Sequence, residues 1–383
     1  MNDRRQQRRD LGHAESGAGS HEATTQNVLT LPDQHSTTQV RSNRDELQFA
    51  PMKKVVFRHV LRLSGLCLSL LSAGAQTLLV VNQGDSNTSI VDPVSGREVA
   101  TVADHTPGVH GHEVAASADG RMAFVPIYGS SGVGKPGIDG REMLVIDIPS
   151  RAIVGHIDFG HGVRPHYPVL DPLSGLLYVT TELDKTVTVV DPQTKKIVGT
   201  VPTGQPESHM LALSHDGRRG YTANVGPGTI SVLDLQGRKT IAVIPVSGNV
   251  QRISISADDK WVFTADQTKP QLAVIDTATD HVKRWIELPG LGYGTAATPD
   301  GNWLLVAIPS KNLVAVVDVK KMEVVRRVEV ANSPQEILIR PNAKIAYVSC
   351  MGSGQVAVVD LTQWKVQKLI AAGKGADGLA WAK

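Results

Sequence analysis

The stretch LYVTTELDKTVTVVDPQTKKIVGTVPTG, residues 177–204, decides the fold. Three short runs in it, LYVTT, TVTVVD and KIVGTV, alternate or concentrate β-branched residues at strand length. They are separated by LDK and by DPQTK, whose Asp and Pro are turn formers. No apolar spacing of 3.6 residues runs through it, so a helical reading fails.

The same sentence recurs along the chain. An apolar run ends in Asp at Asp92, Asp147, Asp191, Asp234, Asp276, Asp318 and Asp360, at intervals of 55, 44, 43, 42, 42 and 42 residues. Strand sets repeating at about 42 residues predict an all-β chain, a seven-bladed β-propeller with four strands per blade. The aspartates read as turn residues, each accepting N–H bonds from the hairpin that follows it. Closure is also legible. The repeat region opens with three strands, near Leu78–Asn82, Thr88–Asp92 and Glu98–Val102, and ends on a lone run, GADGLAWAK. Pairing the C-terminal strand with the N-terminal blade completes the seventh blade and removes two open edges.

These repeats, with the turns LSHDG and ATPDG, resemble the YVTN-type β-propeller repeat proteins over nearly all of residues 76–383. The resemblance implies a fold and leaves function open, because such propellers serve as enzymes, receptors and scaffolds.

The first interval is the longest, and its excess falls in YGSSGVGKPGIDG, residues 128–140. Gly129, Gly134 and Lys135 have the spacing of a phosphate-binding loop. Pro136 stands where that loop needs Ser or Thr, and a strand-like run follows where it needs a helix. The stretch therefore reads as an insertion between second and third strands, either a lid or a mobile excursion.

Repeats let one position be compared across blades. The start of each innermost strand carries His112, His166, His209, Gln251, Tyr293, Gln335 and Asp377, all polar and spaced 54, 43, 42, 42, 42 and 42. Innermost strands line the central channel, so these seven form a candidate ligand-binding ring at its mouth. Three imidazoles with Asp377, or with Glu113, have the composition of a site for Zn, Cu or Fe. A polar small molecule held without metal, or water alone, fits the same ring. Arg164, Glu207 and Arg252 lie beside it. A His, Glu and Arg set around a funnel resembles the seven-bladed lactonase and lactonising-enzyme family, which would make these three catalytic candidates. Cys350, the one cysteine of the repeat region, has no neighbouring His and reads as inert.

A formal charge of +2 on 383 residues, with 4% aromatics, gives no case for a nucleic-acid partner. Residues 1–51 are polar and aperiodic, and read as disordered or untranslated. At Met52 a basic start (Lys53, Lys54, Arg58, Arg62) leads into an apolar centre and the small-residue site Ala73-Gly74-Ala75. That is the anatomy of a signal peptide over residues 52–75, with translation starting at Met52 and no stable membrane span after cleavage. The expectation is an exported protein, periplasmic or at the cell surface. Its polar funnel would recognise a small ligand, metal ion or protein partner. The alternatives are a lactonase-like or metal-dependent hydrolase and a purely structural surface protein.

Overall fold

The computed structural model describes residues 76–383. The expected upstream segment and signal peptide, residues 1–51 and 52–75, lie outside the described residues.

Seven antiparallel sheets follow one another around a central axis. Blades 2 to 6 each run outward through four consecutive strands; blade 3, for example, comprises Ser208–Leu213, Arg219–Asn224, Thr229–Asp234 and Lys239–Pro245. Blade 1 has a broken innermost strand, His110–Gly111 and Ala115–Ala116, before Met122–Gly129, Asp139–Asp147 and Ala152–Asp158. Blade 7 joins the two ends of the described chain. The strand Ala376–Ala382 pairs with Thr77–Asn82, with Leu79 opposite Ala380, and Asn87–Asp92 and Arg97–Ala103 complete the sheet.

The middle strands of each blade are covered on both faces, so they tolerate apolar residues at every position. Leu78, Leu79, Val80 and Val81 are all fully buried. Outermost strands bury a single residue, the same one in every blade: Val102, Ile157, Val201, Ile244, Ile286, Val328 and Ile370. The core therefore lies between blades. One cluster joins Leu305 and Val316 of blade 5 to Val348 and Val359 of blade 6.

Every repeated aspartate caps its hairpin, as expected. Backbone N–H groups of Val94, Ser150, Gln193, Gly237, Ala278, Lys320 and Thr362 donate to Asp92, Asp147, Asp191, Asp234, Asp276, Asp318 and Asp360 at 2.7–3.0 Å. Cys350 is fully buried, and burial pushes its thiol up to about 11, which keeps it protonated and unreactive.

Asp104, in the connection from blade 7 to blade 1, is an exception to good solvation. It is 1% exposed, and neither carboxylate oxygen has a well-formed hydrogen bond. Burial pushes its carboxyl up to about 6, against the opposing pull of the Gly111 N–H and His105.

Two predictions follow from this packing. Ile244→Ala should cost about 2–5 kcal/mol in a denaturant titration, whereas Val243→Ala, at an exposed neighbouring position, should stay within about 0.5 kcal/mol. For Asp104 the raised value means the folded state holds a proton that the unfolded state releases. Its contribution is complete below about pH 4 and is lost as pH climbs through about 6. Asp104→Asn should therefore add on the order of 2–3 kcal/mol at pH 7 and almost nothing at pH 4, read as denaturation midpoints at the two pH values.

Candidate functional site

The channel site is made by a recurrent irregularity. Innermost strands lose register with their neighbours at their first residues: between Ser208 and Met210 in blade 3, Val250 and Ile253 in blade 4, Pro334 and Ile337 in blade 6, and opposite Val179–Thr181 and Val80–Asn82 of the second strands in blades 2 and 7. Such a bulge sets two residues against one and breaks the in-and-out alternation. In blades 1, 2, 4 and 6 the residue after the ring position thereby reaches the polar centre: Glu113, Tyr167, Arg252 and Glu336.

The upper tier contains the three histidines, and they do converge. His112 and His166 have ring centroids 5.3 Å apart, and His166 and His209 stack at 3.6 Å with 26° between planes. Tyr128, from the end of the second strand of blade 1, packs against all three at 4.8, 5.1 and 5.7 Å. Its hydroxyl donates to Glu182, which is 2% exposed and lies 3.5 Å from His209 Nδ1. Burial alone would raise the Glu182 carboxyl; hydrogen bonds from His209, Tyr128 and the Gly134 N–H bring it below its ordinary value. His112 and His166 are held well below the usual imidazole range, first by burial, then by neighbouring imidazoles (His110 and His209 beside His112, His209 and His112 beside His166) and by Arg252.

The lower tier is a buried charge network. Arg252 of blade 4, 4% exposed, reaches to the opposite side of the ring. Its Nη1 is 2.8 Å from Glu113 Oε1 in blade 1, and its Nη2 donates to Asp377 in blade 7 at 3.0 Å. The guanidinium also lies over the Tyr293 ring at 5.2 Å. Gln83 donates to the second oxygen of Asp377 at 2.7 Å. Glu336 of blade 6 accepts from Tyr167 at 3.3 Å and from the Leu379 N–H at 2.5 Å, and shares a hydrogen bond with Glu113. Burial raises all three carboxyls, Glu113 the furthest, although Arg252 opposes the shift. Gly378 makes this meeting of blades 7 and 1 possible. Its N–H donates to the His112 carbonyl at 2.9 Å, and a Cβ there would overlap that carbonyl and the Glu113 backbone.

Several expectations change. Gln251 and Gln335 are displaced from the polar centre by their successors, Arg252 and Glu336, because of the bulge; Gln335 instead donates to Ser333 in its own loop. The three imidazoles meet, but not around one point. Two of them lie face to face, so their in-plane lone pairs run side by side, and among the described residues no three His, Cys, Asp or Glu side chains are arranged to hold a metal ion. Arg164, Glu207 and Arg252 fall into two separate networks. Arg252 is deep in the channel. Glu207 accepts from the Gly226 N–H at 2.7 Å, and Arg164 donates to Asp139 at 2.6 Å and to the Lys135 carbonyl at 2.8 Å.

Those last bonds settle where the glycine-rich insertion sits. Arg164 grips it, Gly134 N–H points at Glu182 at 3.4 Å, and Ser130 and Ser131 tie it internally. It docks at the mouth, and with Glu207 and Lys185 it lines an open cavity of about 370 Å³. A strand, Asp139–Asp147, follows it, so the phosphate-loop reading is excluded. Tyr128, Tyr167, Glu182 and Glu336 were not singled out from sequence. Charged residues inside otherwise apolar strand runs, as in TTELD and PQEILI, were the available signal.

A family model for the cytochrome D1 heme domain matches residues 172–293, under half of the chain. No curated protein matches in sequence. Among solved structures, Kuenenia stuttgartiensis hydrazine synthase is similar, with a TM-score of 0.63 and 18% identity, over 74% of this chain and 92% of that one. At that identity the likeness is one of fold. The haem named by the family model meets an unsuitable channel here. A haem would need a ring nitrogen bordering a cavity wide enough for the macrocycle, and none of the three histidines borders the mouth cavity of about 370 Å³. What the two comparisons share with the geometry is the propeller itself.

Proposed function

We propose that the chain is an exported binding protein whose channel holds a small polar ligand beneath the 130–138 insertion. One observation carries this reading. His112 Nε2 and His166 Nδ1 are buried and without a hydrogen-bond partner, and their rings lie together in the same channel with centroids 5.3 Å apart. Buried polar atoms are satisfied in the great majority of cases, so a concentration of exceptions marks a place where something else supplies the partners.

Hydrolysis at Glu207 has less support, since its carboxylate is engaged by Gly226 and stands apart from Arg252. Haem remains the reading that the family model brings, and the separation of the three histidines from the mouth cavity weighs against it. Export rests on the signal-like segment; no helix among the described residues is long and apolar enough to cross a membrane.

A thermal-shift panel of small amines, carboxylates, sugars and lactones tests the reading. One class should raise Tm by about 5 °C at 100-fold above its Kd, and His166→Ala should abolish the shift. Haem titration should give no Soret band that depends on His112, His166 or His209; a stoichiometric, histidine-dependent band would replace the small-ligand reading with a haem one.

A further inference from the structure

We infer that the seam between blades 4 and 5 is a docking groove for an extended, acidic segment of a partner protein. The groove lies between the outer strands His281–Glu287 and Glu323–Glu329, apart from the channel and independent of any ligand there.

The repeat makes the seams comparable. In every blade the residue just before the outermost strand has positive φ: Gly96, Arg151, Lys195, Arg238, Asp280, Met322 and Trp364. In blades 1, 2 and 3 it bridges to the outer strand of the preceding blade. Arg151, Lys195 and Arg238 donate to the carbonyls of Val99, Val154 and Val198 at 3.3, 3.3 and 3.2 Å. Asp280 of blade 4 lies 3.5 Å from Arg219 of blade 3, and Trp364 of blade 6 packs edge-on against Trp303 of blade 5 at 5.3 Å. At Gly96 the bridge runs the other way, from Lys368 of blade 6 to the Pro93 and Val94 carbonyls of blade 7. Blade 5 has Met322, which makes no polar bridge. Among the described residues, no side chain of blade 5 therefore covers the carbonyl of Lys283, the counterpart of Val99, Val154 and Val198.

A groove opens where the bridge is missing. Arg284 and Met322 line both of its adjoining parts, of about 720 and 990 Å³. The first has an apolar floor of Trp261, Val274, Val319 and Met322; along the second, Trp285 and Val325 are 37% and 36% exposed. Lys283, Arg284, Lys320 and Arg327 are exposed on the rim, and none of them forms an ion pair among the described residues. Two nearby acids are committed, Asp258 to Lys260 at 3.0 Å and Asp300 to Thr298 and Asn302. Arg326 is held over the rings of Trp303 and Trp364 and serves the next seam. Free cations around an apolar floor match a chain that alternates carboxylate and apolar side chains, because a strand turns successive side chains to opposite faces. A backbone N–H of that chain would donate to the Lys283 carbonyl, where neighbouring seams use an arginine or lysine.

A nucleic acid fits less well. Glu287 and Glu323 border the outer part of the groove and repel an unbroken run of phosphates. The Lys283 carbonyl also calls for an N–H donor, which a phosphate backbone lacks.

Isothermal titration of the purified full chain tests this with a blocked hexapeptide of alternating glutamate and leucine. The comparison ligands are the same peptide with lysine for glutamate, hexaglutamate, and oligothymidylate. The expected result is one saturable site for the glutamate–leucine peptide, tighter than for any comparison ligand and weaker as salt is raised. Met322→Trp places at this seam the residue that blade 6 carries, fills the groove without changing its charge, and should weaken binding by about tenfold or more. Arg284→Gln, on the exposed rim, should weaken it several-fold. His166→Ala should bind the peptide as the unmodified protein does, so failure here and failure of the channel reading are told apart. The selectivity of the unmodified protein decides even if Met322→Trp folds poorly. No saturable binding up to about 1 mM, equal binding of the lysine–leucine peptide, or tighter binding of hexaglutamate or oligothymidylate would overturn the assignment. Unchanged affinity in a folded Met322→Trp variant would do the same. A concentration-dependent dimer that Met322→Trp abolishes would give the groove to a second copy of the chain instead.

Discussion

Ring closure is the constraint on which everything else depends. The pairing of Ala376–Ala382 with Thr77–Asn82 seals the last sheet, and it also delivers Asp377 and Gly378 to the axis. Without it Arg252 would lose one of its two carboxylate partners, and Gly378 could not seat the backbone of blade 1. The tolerance of this seam is small, because Gly378 lies against backbone atoms that cannot move aside as a flexible side chain could. A stability element and a site element are thus the same few residues.

The buried network that closure assembles is unlike the surface ion pairs elsewhere. Arg141 with Asp158, or Lys260 with Asp258, sit in water and contribute little. Arg252 and its partners are cut off from solvent, and their mutual attraction has to offset a large desolvation cost. Such an arrangement is a poor way to gain stability and a good way to fix geometry. It holds three blades, 1, 4 and 7, in register about the axis while keeping polar atoms turned inward.

Much of this was legible in the sequence, for a definite reason. The propeller declares itself through period, and the period is written by residues with local duties: the capping aspartates and the one buried residue of each outer strand, as in Val201, Ile244 and Ile286. The ring of His112, His166 and His209 followed from the same count, and those rings do meet. What the count could not show was the bulge. A one-residue slip in pairing leaves no trace in spacing, yet it exchanges Gln335 for Glu336 and Gln251 for Arg252 at the centre. Contacts that cross the axis, such as Arg252 to Glu113, join residues with no relation in the chain, and the apolar alternation around them carries no hint of the pairing. The docking of the insertion was equally hidden, because it depends on Arg164 in the next blade.

The position of Arg252 has a consequence for traffic. A toroid is often imagined as an open pipe, but here a guanidinium spans the axis from blade 4 to blades 1 and 7. On the proposed reading, a ligand reaching the imidazoles from the side of the insertion would pass the glycine-rich flap that Arg164 holds. Residence time would then be governed by how often that flap lifts, so a slow release could accompany even modest contact energies inside.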